Sequence, residues 1–448
     1  MSLQDTIDRY PTVIDALRAN PGGHPFPYPL WWTSWRDEQH AWAETAILFN
    51  QSFHMSDLFI SGPDTLKLLS DTSVNRFDNF ATGRAKQYVA VNEEGYLVGD
   101  SILVKLSDDL VTLAGFEYSL NWLQYHAQRG GYDVSFEREQ NSDGSPHSKR
   151  LYRYEIEGPL AWQILQKAAG TPLEHIKFFH VGEITIAGRT VKALNHTMGG
   201  VPGQESTGLE LFGPEEDTEA VVNAILDAGQ EYGLKRGGAL SYASTTAESG
   251  WVGGIVPAIY TSPSLADYRR WLPDGALENF NLGFTWGSYD PDSIEGYYLT
   301  PWDLGYGHII KFDHEFIGRD ALQKLADAPA RQKAWLVWNE EDTRRVLADG
   351  ELGTGPDAPK LLPWPMSPSW DRIELGGELV GFTQLSGFTV NLRGWVSVGS
   401  IATEHAVDGT EVELVWGDSD GGAGNPMTEP HTATRIRATV RLSSPIVR

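Results

Sequence analysis

The 448-residue chain contains no cysteine. That excludes disulfides, thiolate-held metals and a cysteine nucleophile, so chemistry falls to carboxylates, imidazoles and hydroxyls. The histidines are scattered, and His175 and His180 stand five apart, a spacing that shares no helix face. Asp290, Asp292 and Glu295 form an acidic cluster of the kind that lies on a solvated loop. The run DSDGGAGNPMTE (418–429) begins like a calcium loop but lacks the ligand at its fifth position and the glycine at its sixth. It reads as a hairpin turn, and no metal site is expected. Phosphate loops, nucleophile elbows and HExxH pairs do not occur. Generic motifs assign no mechanism.

The elements around these residues are more informative. An alternating strand, then Gly-Pro, then an amphipathic helix occurs at 57–71, 154–170 and 209–229. Glycine permits a tight strand exit, and proline suits a helix's first turn, where its missing N–H costs nothing. The recurrence suggests related subdomains. From about residue 330 the texture changes to short strands with Gly, Asp and Pro turns, as in a β-barrel or sandwich. Asn141–Ser148 reads as a polar loop, and KLLPWPMSPSW (360–370) as a surface connection within the C-terminal unit. The formal net charge of −25 disfavours phosphate backbones and anionic membranes, so neither nucleic acid nor membrane is an expected partner. With no basic, apolar leader and no apolar run near the ~18 residues of a membrane span, the expectation is a cytoplasmic enzyme.

Five segments, taken in order, resemble the aminomethyltransferase family, the folate-binding T-protein of glycine cleavage and its relatives. They are HMSDLFISGPDTLKLLSDTSVN (54–75), GYLVGDSILVKL (95–106), PGQESTGLELFGP (202–214), YASTTAESGW (242–251) and TPWDLGYGHIIKFDHEFIGRDAL (300–322). Within the family, FHMSDLFI, NWLQYHAQRGGYDV and ESGWVGGIVPAIYT are most similar to the tetrahydrofolate-dependent aromatic O-demethylases of vanillate and syringate type. The resemblance implies an α+β class with a three-subdomain folate-binding fold. Two interleaved mixed α/β units (1–329) would surround a central channel, and a β-barrel (330–448) would follow.

The resemblance also implies roles. Glu210 matches the glutamate that grips the pterin, where one carboxylate accepts two adjacent N–H donors. Asp100 matches the carboxylate beside the folate's reactive nitrogens, where it would orient the cofactor and stabilise positive charge developing at N5. Tyr242 stands where the aromatic demethylases carry a tyrosine that would assist departure of the phenolate. Glu248 matches a helix glutamate that supports folate or packing. His54 faces either the substrate or the core. Tyr28, Trp31, Trp32 and Phe53 are candidate aromatic walls.

Two departures matter. Gly99 replaces the first aspartate of the family's pair, which argues against glycine cleavage. Phe116 stands where vanillate-type enzymes carry an arginine for the ring carboxylate, so the substrate is either a neutral, guaiacol-like methoxyarene or an acid held elsewhere, with Arg84 the candidate. The leading expectation is transfer of a methyl group from a lignin-type methoxylated aromatic to tetrahydrofolate. The alternatives are an S- or N-demethylase of dimethylsulfoniopropionate or methylated-glycine type, and a non-catalytic folate binder. Oligomeric state is left open.

Overall fold

In the computed structural model, which describes residues 4, 7–15, 29–139, 149–196, 207–280, 285–353, 356–425 and 428–446, the chain starts one sheet, leaves to build another, and returns. Helix α1 (Trp35–Glu44) leads into β1 (Ile47–Asn50). A five-stranded sheet follows from β2 (Ser56–Ser61), β3 (Ala85–Val91), β4 (Leu97–Ser107), β5 (Leu110–Gly115) and β6 (Ser135–Glu139), ordered β3-β4-β5-β2-β6. Helix α2 (Thr65–Asp71) follows β2, and helix α3 (Glu117–Gly130) follows β5. Strand β7 (Leu151–Glu157) then returns to pair with β1. With β8 (Val181–Ile186), β9 (Arg189–Asn195), β10 (Gly208–Pro214) and β11 (Lys235–Gly237) it completes the sheet β8-β9-β10-β7-β1-β11. Helix α4 (Ala161–Ala169) follows β7, and helix α5 (Thr218–Gly229) follows β10.

Apart from β1, the two units repeat one plan: strand, helix, three-stranded meander, helix, strand. The Gly-Pro pairs explain part of it. Gly62 and Gly158 both adopt left-handed φ values, +123° and +118°, and a Cβ on either would sit within 2.6 Å of a backbone oxygen of a distant segment, Asp133 or Thr45. Gly213 does not share this geometry, because its strand runs on through Pro214. The third Gly-Pro therefore marks the meander's end rather than a third unit.

In each unit the helices cover one face of the sheet. Leu58, Leu68 and Trp122 build that core in the first, and Ile156, Ile164 and Ile225 in the second. The uncovered faces meet each other through Ala85, Val104, Leu194 and Phe212. Beyond this apolar contact the same two faces diverge around a cavity.

Helix α6 (Ala239–Ser249) follows β11. The C-terminal strands are β12 (Arg331–Trp338), β13 (Met366–Pro368), β14 (Arg372–Leu375), β15 (Glu378–Thr389), β16 (Gly394–Ala402), β17 (Glu411–Trp416) and β18 (Thr434–Arg441). The order β15-β14-β17-β18-β12-β16 closes on itself through β15–β16 pairing, which makes a six-stranded barrel. Closure removes the exposed edges that an open sheet would present. Trp338, Leu414, Trp416 and Ile436 fill its interior. In the expected hairpin turn, Asp420 accepts hydrogen bonds from the N–H groups of Gly422 and Gly424, while Asp418 pairs with Lys360. Among the described residues no helix is long and apolar enough to cross a membrane. The Asn141–Ser148 loop and Tyr28 lie outside the described residues.

Candidate active site

The cavity between the two sheets has a polar inner chamber lined by Asp100, Arg153, Glu155, His196 and Glu210. Its chemistry begins with the alternation in LYRYEIE: Tyr152 and Ile156 face the helices, which turns Arg153, Glu155 and Glu157 to the opposite face. Glu210 on β10 lies directly across from Glu155 on β7. Two carboxylates so placed repel one another, and the structure answers with two cations. Arg153 Nε donates to Glu210 Oε1 at 2.9 Å, and its Nη1 reaches Asp57 Oδ1 at 3.3 Å on the other sheet. His196 Nε2 stands 3.4 Å from both Glu155 and Glu210.

Burial alone would raise the Glu210 pKa, but Arg153 and His196 outweigh it and hold this carboxylate well below the ordinary range. Glu210 is therefore an acceptor at any physiological pH. Burial raises Asp57 to about 6, only partly countered by Arg153. Burial, reinforced by the neighbouring Glu155, raises the Glu157 carboxyl well above the ordinary carboxylate range.

Asp100, on β4 of the first sheet, lines the same chamber in a different setting. Gln87 Nε2 donates to its Oδ2 at 2.6 Å and the Tyr306 hydroxyl does so at 2.9 Å. Both donors act on one oxygen, which leaves Oδ1 for a ligand. Burial outweighs these two neutral donors and raises its pKa to about 6. The segment PWDLGYG exists to bring Tyr306 there. Asp303 caps its own turn through Thr300 and pairs with Arg331 at 2.8 Å. Gly305 takes φ +82°, and a Cβ on Gly307 would meet the Trp302 ring at 2.4 Å. The strand also explains Gly99: a Cβ there would come within 2.8 Å of Tyr118, so the family's first aspartate has no room.

A second, mainly apolar chamber of about 230 Å³ adjoins the first. His54, Phe116, Tyr242, Thr246 and Trp251 belong to both and form the partition. Tyr242 is held in the first turn of α6, whose start is fixed by the wholly buried Glu38. Glu38 Oε2 accepts from Gly238 N and Ser241 Oγ, and its Oε1 from Trp32 N and Thr33 N. Four donors satisfy a carboxylate that would otherwise be costly to bury. The Tyr242 ring packs edge-on against His54, with centroids 4.9 Å apart. Burial, reinforced by Arg153, lowers His54 to about 4, so the imidazole is neutral. Met55 beside it takes φ +62°, a strained conformation for a side chain of this size. Phe116 and Trp251 lie parallel, 6.2 Å apart.

Five residues singled out from the sequence thus line the cavity: Asp100, Glu210, His54, Tyr242 and Phe116. Others lie elsewhere. Glu248 is fully buried outside both linings, where Asn391 Nδ2 donates to each of its oxygens, and burial raises it to about 8. Its place is the joint between α6 and the barrel. Arg84 bridges to His180 at the start of β3, away from the cavity, so it offers no counterion to a substrate acid. Trp31 is 47% exposed, and Phe53 stacks under the Lys149 ammonium. The proline-rich stretch is no mere connection, since Met366 and Pro368 wall the apolar chamber. Sequence reasoning missed Arg153, Glu155 and His196, although a charged face alternating along a strand was a readable signal. Tyr306 stood unnoticed inside a quoted signature.

A reduced pterin offers adjacent N–H donors, and an ionised Glu210 with spare lone pairs fits them. Asp100, with one oxygen uncommitted, fits a neighbouring ring nitrogen. Residues 16–253 match the GCVT N-terminal domain family. The chain is 40% identical to a syringate O-demethylase of Sphingobium sp. (strain NBRC 103272 / SYK-6), covering 98% of this chain and 95% of the relative. It is 29% identical to a sesamin methylene transferase of Sinomonas sp. (strain No.22), covering 92% and 89%. The glycine cleavage system aminomethyltransferase T of Bartonella henselae has the same fold, with a TM-score of 0.60 at 18% identity and coverage of 94% and 91%.

Proposed function

The chain belongs to the GCVT family of aminomethyltransferase-like proteins, and from that premise we propose that it is a tetrahydrofolate-dependent O-demethylase acting on a methoxylated aromatic compound. One observation carries the reading: a polar chamber with two unlike carboxylates opens onto an apolar one, and a tyrosine stands in the partition. Similarity to a syringate O-demethylase over nearly the whole length supports the same chemistry. The proposal includes a cytoplasmic setting.

Bound tetrahydrofolate would supply the amine nitrogen that accepts the methyl group. Glu210, kept ionised by Arg153 and His196, would hold the pterin by accepting its N–H donors. Asp100 Oδ1 lies free to accept an N–H, and when ionised it stabilises positive charge beside it and can take up the proton released there. Tyr242 donates a hydrogen bond to the ether oxygen, which otherwise must leave as an unprotected phenolate. Phe116 and Trp251 offer parallel ring faces to an aromatic substrate and keep water out.

The test is a single-turnover assay with tetrahydrofolate and vanillate, syringate, guaiacol, veratrole or dimethylsulfoniopropionate, reading 5-methyltetrahydrofolate by mass spectrometry. Product from an aryl ether is expected. Product from the sulfonium compound alone would replace the reading with S-demethylation, and tight folate binding without product would make the protein a binder. Tyr242→Phe should lower kcat about 10²-fold while folate affinity stays within threefold.

A further inference from the structure

The barrel contributes a polar side chain to the apolar chamber that the catalytic scheme does not use. Gln384 lies on β15 where the register with β16 slips: Thr383 faces Gly399 and Leu385 faces Val398, so Gln384 is the extra residue of a bulge. Neighbouring residues of a regular strand point to opposite faces, yet Gln384 and Leu385 both line this chamber. Re-aiming a side chain in this way is what a bulge does. The residue is 2% exposed, and neither its amide nitrogen nor its amide oxygen has a hydrogen-bond partner. Its carbonyl, by contrast, accepts from Ser369 N at 3.3 Å. The indole N–H of Trp251, on the same chamber, is likewise buried without an acceptor. Polar groups this deep are ordinarily paired, and two orphans lining one chamber mark where a ligand brings the partners.

We propose that Gln384 is a specificity residue that reads a neutral hydroxyl on the aromatic substrate. This rests on the aryl-ether reading above and names the substrate's second substituent. An amide presents a donor and an acceptor side by side, and a phenolic hydroxyl, itself both donor and acceptor, can pair with either end. The described lining of this chamber contains no lysine or arginine, so a charged substituent would sit there unpaired.

The experiment compares 2-methoxyphenol with 1,2-dimethoxybenzene, which differs by one methyl on that hydroxyl. Calorimetric binding is measured without tetrahydrofolate, and kcat/KM with it, for the wild type, Gln384→Leu and Gln384→Met. The wild type should favour the phenol by at least about tenfold, since a site built for a hydroxyl rejects the analogue lacking it. Both variants should bring the ratio to within threefold of one. They should also melt at or above the wild-type temperature, because an unpaired buried amide has been replaced by an apolar group. A wild type without preference, a ratio unchanged in the variants, or a lower melting temperature in both would overturn the proposal. The binding arm requires no turnover. A Gln384-dependent ratio without 5-methyltetrahydrofolate would overturn the demethylase reading and leave the subsite standing.

Discussion

In the sheet of β2–β6, Asp100 is met by a glutamine and a tyrosine. In the sheet of β7–β11, Glu210 is met by an arginine and a histidine. The two units share a topology and place these carboxylates on one cavity, yet burial wins at Asp100 and ion pairing wins at Glu210. One acid can exchange a proton near neutral pH, and the other cannot. A repeated fold thus supplies two backbones, while the partners around each acid decide its chemistry.

Arg153 is where this contrast breaks most severely. Replacing it as Arg153→Met would leave Asp57 buried without its cation and Glu210 with His196 alone. The expected loss is about 3–5 kcal/mol of stability, read by urea unfolding. Asp100→Asn should cost little or no stability, because neutral donors serve an amide oxygen as well as a carboxylate. A carboxylate whose folded pKa is raised favours the folded state only while protonated. That contribution disappears as pH rises through about 6, so the variant should equal or exceed the wild type in melting temperature at pH 8. Its activity should fall about 10²-fold. In the wild type kcat/KM should rise with pH through about 6, and this limb should vanish in Asp100→Asn. Asp57 is also raised to about 6, so persistence of the limb in Asp57→Asn is required to assign it. His54, lowered to about 4, cannot produce it. The smallest effect belongs to Glu248→Gln. That carboxyl is raised to about 8 and mostly protonated at neutral pH, so the amide mimics it and stability should change by less than about 0.5 kcal/mol.

Asp100 and Glu210 were legible because the segments around them resemble a family strand by strand. The cations that make Glu210 different were legible only as alternation in LYRYEIE, which says that Arg153 and Glu155 share a face but not that the face is buried. The Gly-Pro repeats pointed to related units but did not show that the third, at Gly213, closes a meander rather than opening a helix turn. Gln384 gave no signal, since a bulge follows from pairing with a distant strand. Trp31 and Phe53 were chosen as aromatics in a chain rich in them, and aromatic character alone does not say which wall a ring joins.

Strand β1 bears on how the protein is born. The unit of β2–β6 closes its strand pairings within residues 56–139, but its core waits for Ile259, Leu265 and Tyr268 from far along the chain. Ile47 cannot find its neighbours until Glu157 and then Lys235 have been made. Through that interval an apolar strand stands with both edges bare, a liability for aggregation. Both units therefore wait for distant segments, and the cavity between their sheets forms only after these have been made.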